Sequence, residues 1–134
     1  MLPMLLDTSG LLCLLHKDEP QHAETNRLYA QARKCLTHSY VLAEFVPLGQ
    51  VRGLPREQVL GFLRDLVRAP RVEVVWVSRA LHQQAMDLLE ARRDKTYSLC
   101  DAVSFILMRE RNLSEALTTD KHFVQEGFIR LLEP

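Results

Sequence analysis

Four carboxylates in this 134-residue chain stand where an ionised acid is expensive. Asp7 follows "PMLL" directly, Glu44 lies inside "YVLAEFVPL", Asp101 interrupts "YSLCDAVSFILM", and Asp120 closes "EALTT". Burying an unpaired charge costs several kcal/mol or more, so each acid needs a reason. Helix capping offers one for three of them. Ser98 and Asp101 are spaced S-x-x-D, as in a capping box, and Asp7 and Asp120 each end a short apolar run where an N-cap would stand. Glu44 lies too far past Ser39 for a capping box. Its i−3 and i+4 neighbours are Val41 and Leu48, and Arg52, the nearest base along the chain, is not adjacent on a helix. Asp101 likewise has Phe105 and Met108 at i+4 and i+7, so both acids are expected to point inward.

Four carboxylates that face the interior or a strand end repel one another unless cations neutralise them or protons are taken up. Hard oxygen ligands select Mg²⁺ or Mn²⁺. His16, His22, His38, His82 and His122 form no H-x-x-x-H helical pair, and Cys13, Cys35 and Cys100 are far apart, so neither type supplies a zinc set. A few-ligand Mg²⁺ site completes its shell with water and substrate phosphate, which points to a phosphodiester or phosphate ester. The remaining acids, among them Asp18, Glu19, Glu24, Glu57, Asp65, Asp87, Glu90, Glu110, Glu126 and Glu133, alternate with polar residues and are expected on solvated faces.

The elements that must hold the four acids are legible as an alternation. Residues 2–6 read as a buried strand and "DTSG" as a turn or helix start, followed by helices over 9–16 and from Pro20 to about Lys34. "CLTH" at 35–38 reads as a strand. Ser39 is expected to cap a helix that Pro47 kinks and Gly53 ends, and Pro55 starts another to about Arg68. "VEVVWV" at 72–77 is β-branched enough for a strand, followed by a Ser78-capped helix to about Arg92. A helix over 99–112 and strands at 115–119 and 128–132, with a helical turn at 121–126 between them, complete the chain. Short apolar strands alternating with longer helices predict an α/β fold. Its central sheet would be mostly parallel, with about five short strands flanked by helices in three layers, α/β/α. Ligands in such folds bind outside the carboxyl ends of the strands, near the switch point.

Composition bounds the rest. The length suits one domain over 1–134, and 47% hydrophobic with 25% charged residues excludes a disordered or fibrous chain. Seventeen basic residues balance 17 acidic ones, which argues against broad coating of nucleic acid but leaves room for a local basic patch. Odd, scattered cysteines in apolar segments suggest free thiols and a reducing cytoplasm. No stretch reaches the ~20 apolar residues of a membrane span, and no export signal is evident.

"LLDTSGLL", "VLAEF", "DKTYSLCDAVSFILM" and "ALTTDKHFVQEGFIRLL", in this order and spacing, resemble the PIN domain family. The resemblance is to the single-domain form found in the VapC ribonuclease toxins of bacterial toxin–antitoxin pairs, and it covers essentially the whole chain. It implies a parallel sheet flanked by helices and a metal-dependent endoribonuclease acting on single-stranded RNA. It also implies that Asp7, Glu44, Asp101 and Asp120 form an acidic quartet around Mg²⁺ or Mn²⁺. Thr8, Ser98 and Thr119 become hydroxyls that hold metal water or the scissile phosphate. Such hydrolysis leaves a 5′-phosphate and a 3′-hydroxyl. An acidic pocket needs cations nearby to admit a polyanion, which makes Arg92, Arg93, Lys95 and Lys121 candidate phosphate contacts. The same residues equally fit solvated helix ends.

Residues 9–30 and 40–68 carry more apolar side chains, among them Leu12, Leu15, Phe45, Val46, Leu60 and Phe62, than one-sided packing needs. Core packing accounts for most, and the resemblance raises a homodimer or an antitoxin's apolar segment for the remainder. Two rival readings stand beside the nuclease. An aspartyl-phosphate enzyme would place a second Asp two residues after Asp7, where Ser9 stands. A PIN fold serving only as an RNA-binding or scaffold module would have little use for four costly acids.

Overall fold

The computed structural model describes residues 3–134. Five strands form one parallel sheet in the order β3-β2-β1-β4-β5: β1 Met4–Leu6, β2 Cys35–His38, β3 Val72–Val75, β4 Glu115–Leu117 and β5 Ile129–Arg130. Successive side chains on a strand face opposite ways, and here both ways are apolar. Met4 and Leu6 pack with Leu11, Phe45, Val59 and Leu66 on one face, while Leu5 packs with Leu36, Leu81, Phe105 and Met108 on the other. The helices α1 Thr8–Leu15, α2 His22–Gln31, α3 Ser39–Val51 and α4 Arg56–Arg68 build the first layer. On the opposite face lie α5 Arg79–Ala91 and α6 Leu99–Glu110, with the short α7 Lys121–Gln125 leading into β5. The three-layer α/β/α architecture is the one the alternation predicts.

From β1 the chain moves outward through β2 and β3, whereas β4 pairs with β1 on its other side. The switch point therefore lies at the carboxyl ends of β1 and β4, where Asp7 and Asp120 stand. Gly10 makes this junction possible. A Cβ there would sit 1.9 Å from the carbonyl oxygen of Leu117, so only glycine lets the first turn of α1 lie against the end of β4.

Several local expectations need correction. Ser39 does not cap α3: it is the first helical residue, and its hydroxyl accepts the Val77 amide at 2.9 Å, tying the exit of β3 to the start of α3. That bond takes the place of a ladder beyond Val75. The second helix stops at Gln31, three residues early, because Ala32 turns extended and Arg71 binds the carbonyls of Tyr29 and Ala32, each at 2.6 Å. Helix α3 continues past Pro47 to Val51, and Gly53, with a φ of +76°, is the left-handed stop the sequence suggests. Glu126 is not solvated. It is 8% exposed and held by Arg92 at 3.1 Å and Arg109 at 2.7 Å. Of the apolar residues set aside for partners, Leu12 and Phe45 are core, Leu15, Val46 and Phe62 pack against it, and Leu60 is 38% exposed. Among the described residues no helix is long and apolar enough to cross a membrane.

Candidate active site

An open cleft at the switch point is lined by Asp7, Glu44, Asp101 and Asp120, together with Thr8, Ser9, Pro47, Leu48, Thr96, Ser98 and His122. The chain folds four acids from four separate elements into one wall. Asp7 occupies the N-cap position of α1 yet makes no side-chain cap bond. Instead Oδ2 accepts the Thr118 hydroxyl at 2.8 Å and the Ser9 hydroxyl at 3.4 Å. Only 5% exposed, its carboxyl is pushed up to about 7 by burial, with Thr118 pulling down and the neighbouring charges of Asp101 and Asp120 pushing up. Asp101 does both jobs considered for it. It completes a capping box with Ser98, the hydroxyl accepting the Asp101 amide and Oδ2 accepting the Ser98 amide, each at 3.0 Å. It also faces the cleft, where burial first and the charge of Asp120 after it raise its carboxyl above the usual range. Asp120 caps α7 by accepting the His122 amide at 2.9 Å, and its own amide donates to Thr118 Oγ1 at 3.0 Å.

Glu44 is placed differently from the expectation. The buried stripe of α3 runs through Val41, Phe45 and Gly49, so Glu44 lies beside it, exposed at the cleft rim, and accepts the Thr8 hydroxyl at 3.1 Å. An acid reaching the site from the rim avoids the desolvation that Asp7 and Asp101 bear. Thr8 and Ser98 line the cleft as expected, while Thr119 does not: its amide donates to Ser9 Oγ at 3.0 Å and its side chain borders a separate hollow beside Leu12 and Arg52. Its neighbour Thr118, fully buried, takes the place beside Asp7.

The donor set suits a hard divalent cation. It consists of carboxylate oxygens, two of them buried and raised in pKa, and ligand atoms of Asp101, Asp120 and His122 all lie within 4.8 Å of one another. Among the described residues, no Lys or Arg lines the cleft to neutralise them.

The sequence profile of the PIN domain family matches residues 4–128. The chain belongs to the PIN domain family. VapC20 of Mycobacterium tuberculosis, named a 23S rRNA-specific endonuclease in the CDC 1551 and H37Rv strains alike, is 30% identical over 129 residues, covering 96% of this chain and 97% of its own. The crystal structure of M. tuberculosis VapC20, a toxin that cleaves the sarcin-ricin loop, superposes with a TM-score of 0.86 at 26% identity, over 98% of this chain and 99% of that one.

In this PIN domain the four bases proposed for phosphate lie outside the cleft lining. Arg92 is committed to buried Glu126, Arg93 pairs with Glu90, and Lys95 pairs with Asp94 at 2.9 Å. Lys121 is exposed beside Asp120. Four polar residues of the site escape the sequence reading: Ser9, Thr96, Thr118 and His122. For Thr118 a signal exists, since "TTD" offers two threonines and the strand alternation through β4 decides which one meets Asp7. For His122 the signal is its place in the first turn of a helix that Asp120 caps.

Proposed function

We propose that this chain acts as one PIN domain that hydrolyses phosphodiester bonds within single-stranded RNA, with Mg²⁺ or Mn²⁺, and that it is the toxin of a toxin–antitoxin pair in the cytoplasm. The observation that carries the reading is the convergence of Asp7, Glu44, Asp101 and Asp120 at the switch point with no Lys or Arg among the described lining residues. Such a wall repels an RNA phosphate unless a cation stands between them. The resemblance to a 23S rRNA-specific endonuclease supports RNA as the substrate.

Asp7, Asp101 and Asp120 would hold the cation, with Glu44 closing the set from the rim. When bound, it supplies a water acidified toward neutral pH and positive charge against the phosphoryl oxygens. The chain's residues do the rest. Thr118 and Ser9 keep the Asp7 carboxylate from turning, and Thr8 does the same for Glu44. Ser98 anchors Asp101 at the start of α6, so that its position is set by the helix itself. Pro47 and Leu48 give the α3 wall an apolar surface for a sugar or base. Lys121 is the phosphate contact best placed outside the wall. Hydrolysis leaves a 5′-phosphate and a 3′-hydroxyl, so the 2′-hydroxyl is not the nucleophile and RNA preference comes from the groove. The exposed apolar side chains of α3 and α4, Val51, Leu60 and Val67, support a second copy or an antitoxin as partner.

Purified protein should cut a mixed-sequence single-stranded RNA with Mn²⁺ or Mg²⁺, stop in EDTA, and fail as Asp101→Asn or Asp120→Asn. Cutting by both variants at the wild-type rate would return these acids to helix capping. Binding without cutting, metal present, would favour an RNA-binding module.

A further inference from the structure

His122 is the cleft group to which the hydrolysis above gives no task, yet its ring is held from several sides. Nδ1 lies 2.8 Å from Asp101 Oδ2 and 3.4 Å from Asp120 Oδ1, and Nε2 lies 3.1 Å from Thr96 Oγ1. The Tyr97 ring packs edge-on against it with centroids 5.3 Å apart, and Tyr97 is itself packed on Phe105 at 5.0 Å. An ionised carboxylate only accepts, so Nδ1 carries the hydrogen directed at Asp101, while Nε2 and the Thr96 hydroxyl are within hydrogen-bond reach of each other. The two contacts orient the ring. The same Oδ2 also accepts the Ser98 amide at 3.0 Å, whereas no hydrogen bond from a described residue reaches Oδ1. Two donors on one oxygen stop the carboxylate from flipping and leave the other oxygen unclaimed.

The surroundings keep this arrangement in place. Glu126, which closes α7, is gripped by Arg92 from the end of α5 and Arg109 from α6. The segment carrying Thr96 and Tyr97 is thereby fastened to the helix that carries His122. Arg92 serves the site through this clamp, from outside the cleft lining. A ring restrained by a carboxylate, a hydroxyl and an aromatic edge is poorly free to turn its Nδ1 toward an ion, although its atoms lie close enough to Asp101 and Asp120 to suggest a ligand.

We propose that His122 is a positioning residue, which holds Asp101 by Oδ2 so that Oδ1 is presented to the divalent cation, and that it does not bind the cation itself. This rests on the metal-dependent reading above. Partners of this kind, donating to the far side of a ligating group, typically change metal affinity about 10–100-fold when removed.

The test is Mn²⁺ binding, followed by calorimetry and by pulsed electron paramagnetic resonance, on the wild-type chain and on Asp101→Asn, His122→Ala and His122→Asn, with circular dichroism to verify each fold. Wild type should bind Mn²⁺ and Asp101→Asn should not. His122→Ala should bind about 10–100-fold more weakly. His122→Asn, whose Nδ2–H can take the place of the Nδ1–H, should recover most of that loss. The Mn²⁺ bound to wild type should show no coupling to an imidazole nitrogen. Unchanged affinity in His122→Ala, or an imidazole coupling in wild type, overturns the inference while the metal reading stands. Wild type that binds no Mn²⁺, or binds it no better than Asp101→Asn, overturns both.

Discussion

Replacing Asp7 by Asn should make the metal-free protein more stable, although it removes a group on which the proposed chemistry depends. Burial and the nearby acids push the Asp7 carboxyl from 3.8 to about 7. A raised acid keeps a proton in the fold that the unfolded chain has already released. Stability therefore falls as pH rises from about 4 to about 7, and the full penalty is present above that. The rise from 3.8 to about 7 sets an upper bound of about 4 kcal/mol. Relaxation of Asp101 and Asp120 and the unmet N–H of the new amide reduce this, leaving a gain of about 2 kcal/mol. Asn retains an oxygen that can accept from Thr118 and Ser9, so the local bonds survive. With unfolding entropy near ~2.1 cal/mol/K per residue, that gain raises Tm by about 7 °C for a chain of this length. Thermal melts in EDTA at pH 8 and pH 4 would measure it. The variant should melt higher at pH 8, lose its advantage at pH 4, and fall behind wild type once Mn²⁺ is added. If Asp7→Asn melts below wild type in EDTA by the same amount at both pH values, the carboxylate is not under strain and the electrostatic argument is wrong.

Thr118→Val, nearly isosteric, removes the hydroxyl between Asp7 and Asp120. RNA cleavage should drop about 10–100-fold while circular dichroism stays native. Gly10→Ala drives a Cβ into the Leu117 carbonyl and should destabilise by about 3 kcal/mol or more in urea titrations, because backbone cannot step aside as a side chain can. His38, fully buried with Nε2 on Ser104 at 2.8 Å and Nδ1 without a partner among the described residues, is pushed down to about 4 by burial. Between about pH 6.5 and 4 the unfolded chain takes up a proton that the folded imidazole refuses, so stability falls as pH falls through that window, by up to about 3 kcal/mol. Urea titrations from pH 7 to 4.5 should show a shallower acid loss in His38→Gln than in wild type. Parallel curves would contradict the assignment.

The element order was readable because local signals decide it, although β3, β4 and β5 stop at Val75, Leu117 and Arg130, each two residues short of the expected end. Apolar runs too short for helices, followed by capping residues, predict β1 with Asp7 and β4 with Asp120 without any tertiary knowledge. What stayed hidden depends on pairs distant in sequence. Glu126 resembles any surface acid until Arg92 and Arg109, 34 and 17 residues away, converge on it. His122 finds Asp101 21 residues back, and Ser39 finds Val77 38 residues on, so each leaves the role its own segment suggests. Glu44 shows the limit of reading a helix by neighbours alone. Val41 and Leu48 flank it, but the buried stripe through Val41, Phe45 and Gly49 leaves it on the rim. Gly10 has no local motif that separates it from any small residue in a turn, since its necessity comes from the Leu117 carbonyl.

The most direct test of the central claim is a crystal of the protein grown with Mn²⁺ and measured at the manganese absorption edge. An anomalous peak should appear, bounded by carboxylate oxygens of Asp7, Asp101 and Asp120 on the cleft side of Glu44, and should be lost in Asp101→Asn. A protein that cuts RNA while that cleft holds no manganese, or that binds it at another place with the four acids hydrogen-bonded only to each other and to their caps, would contradict it.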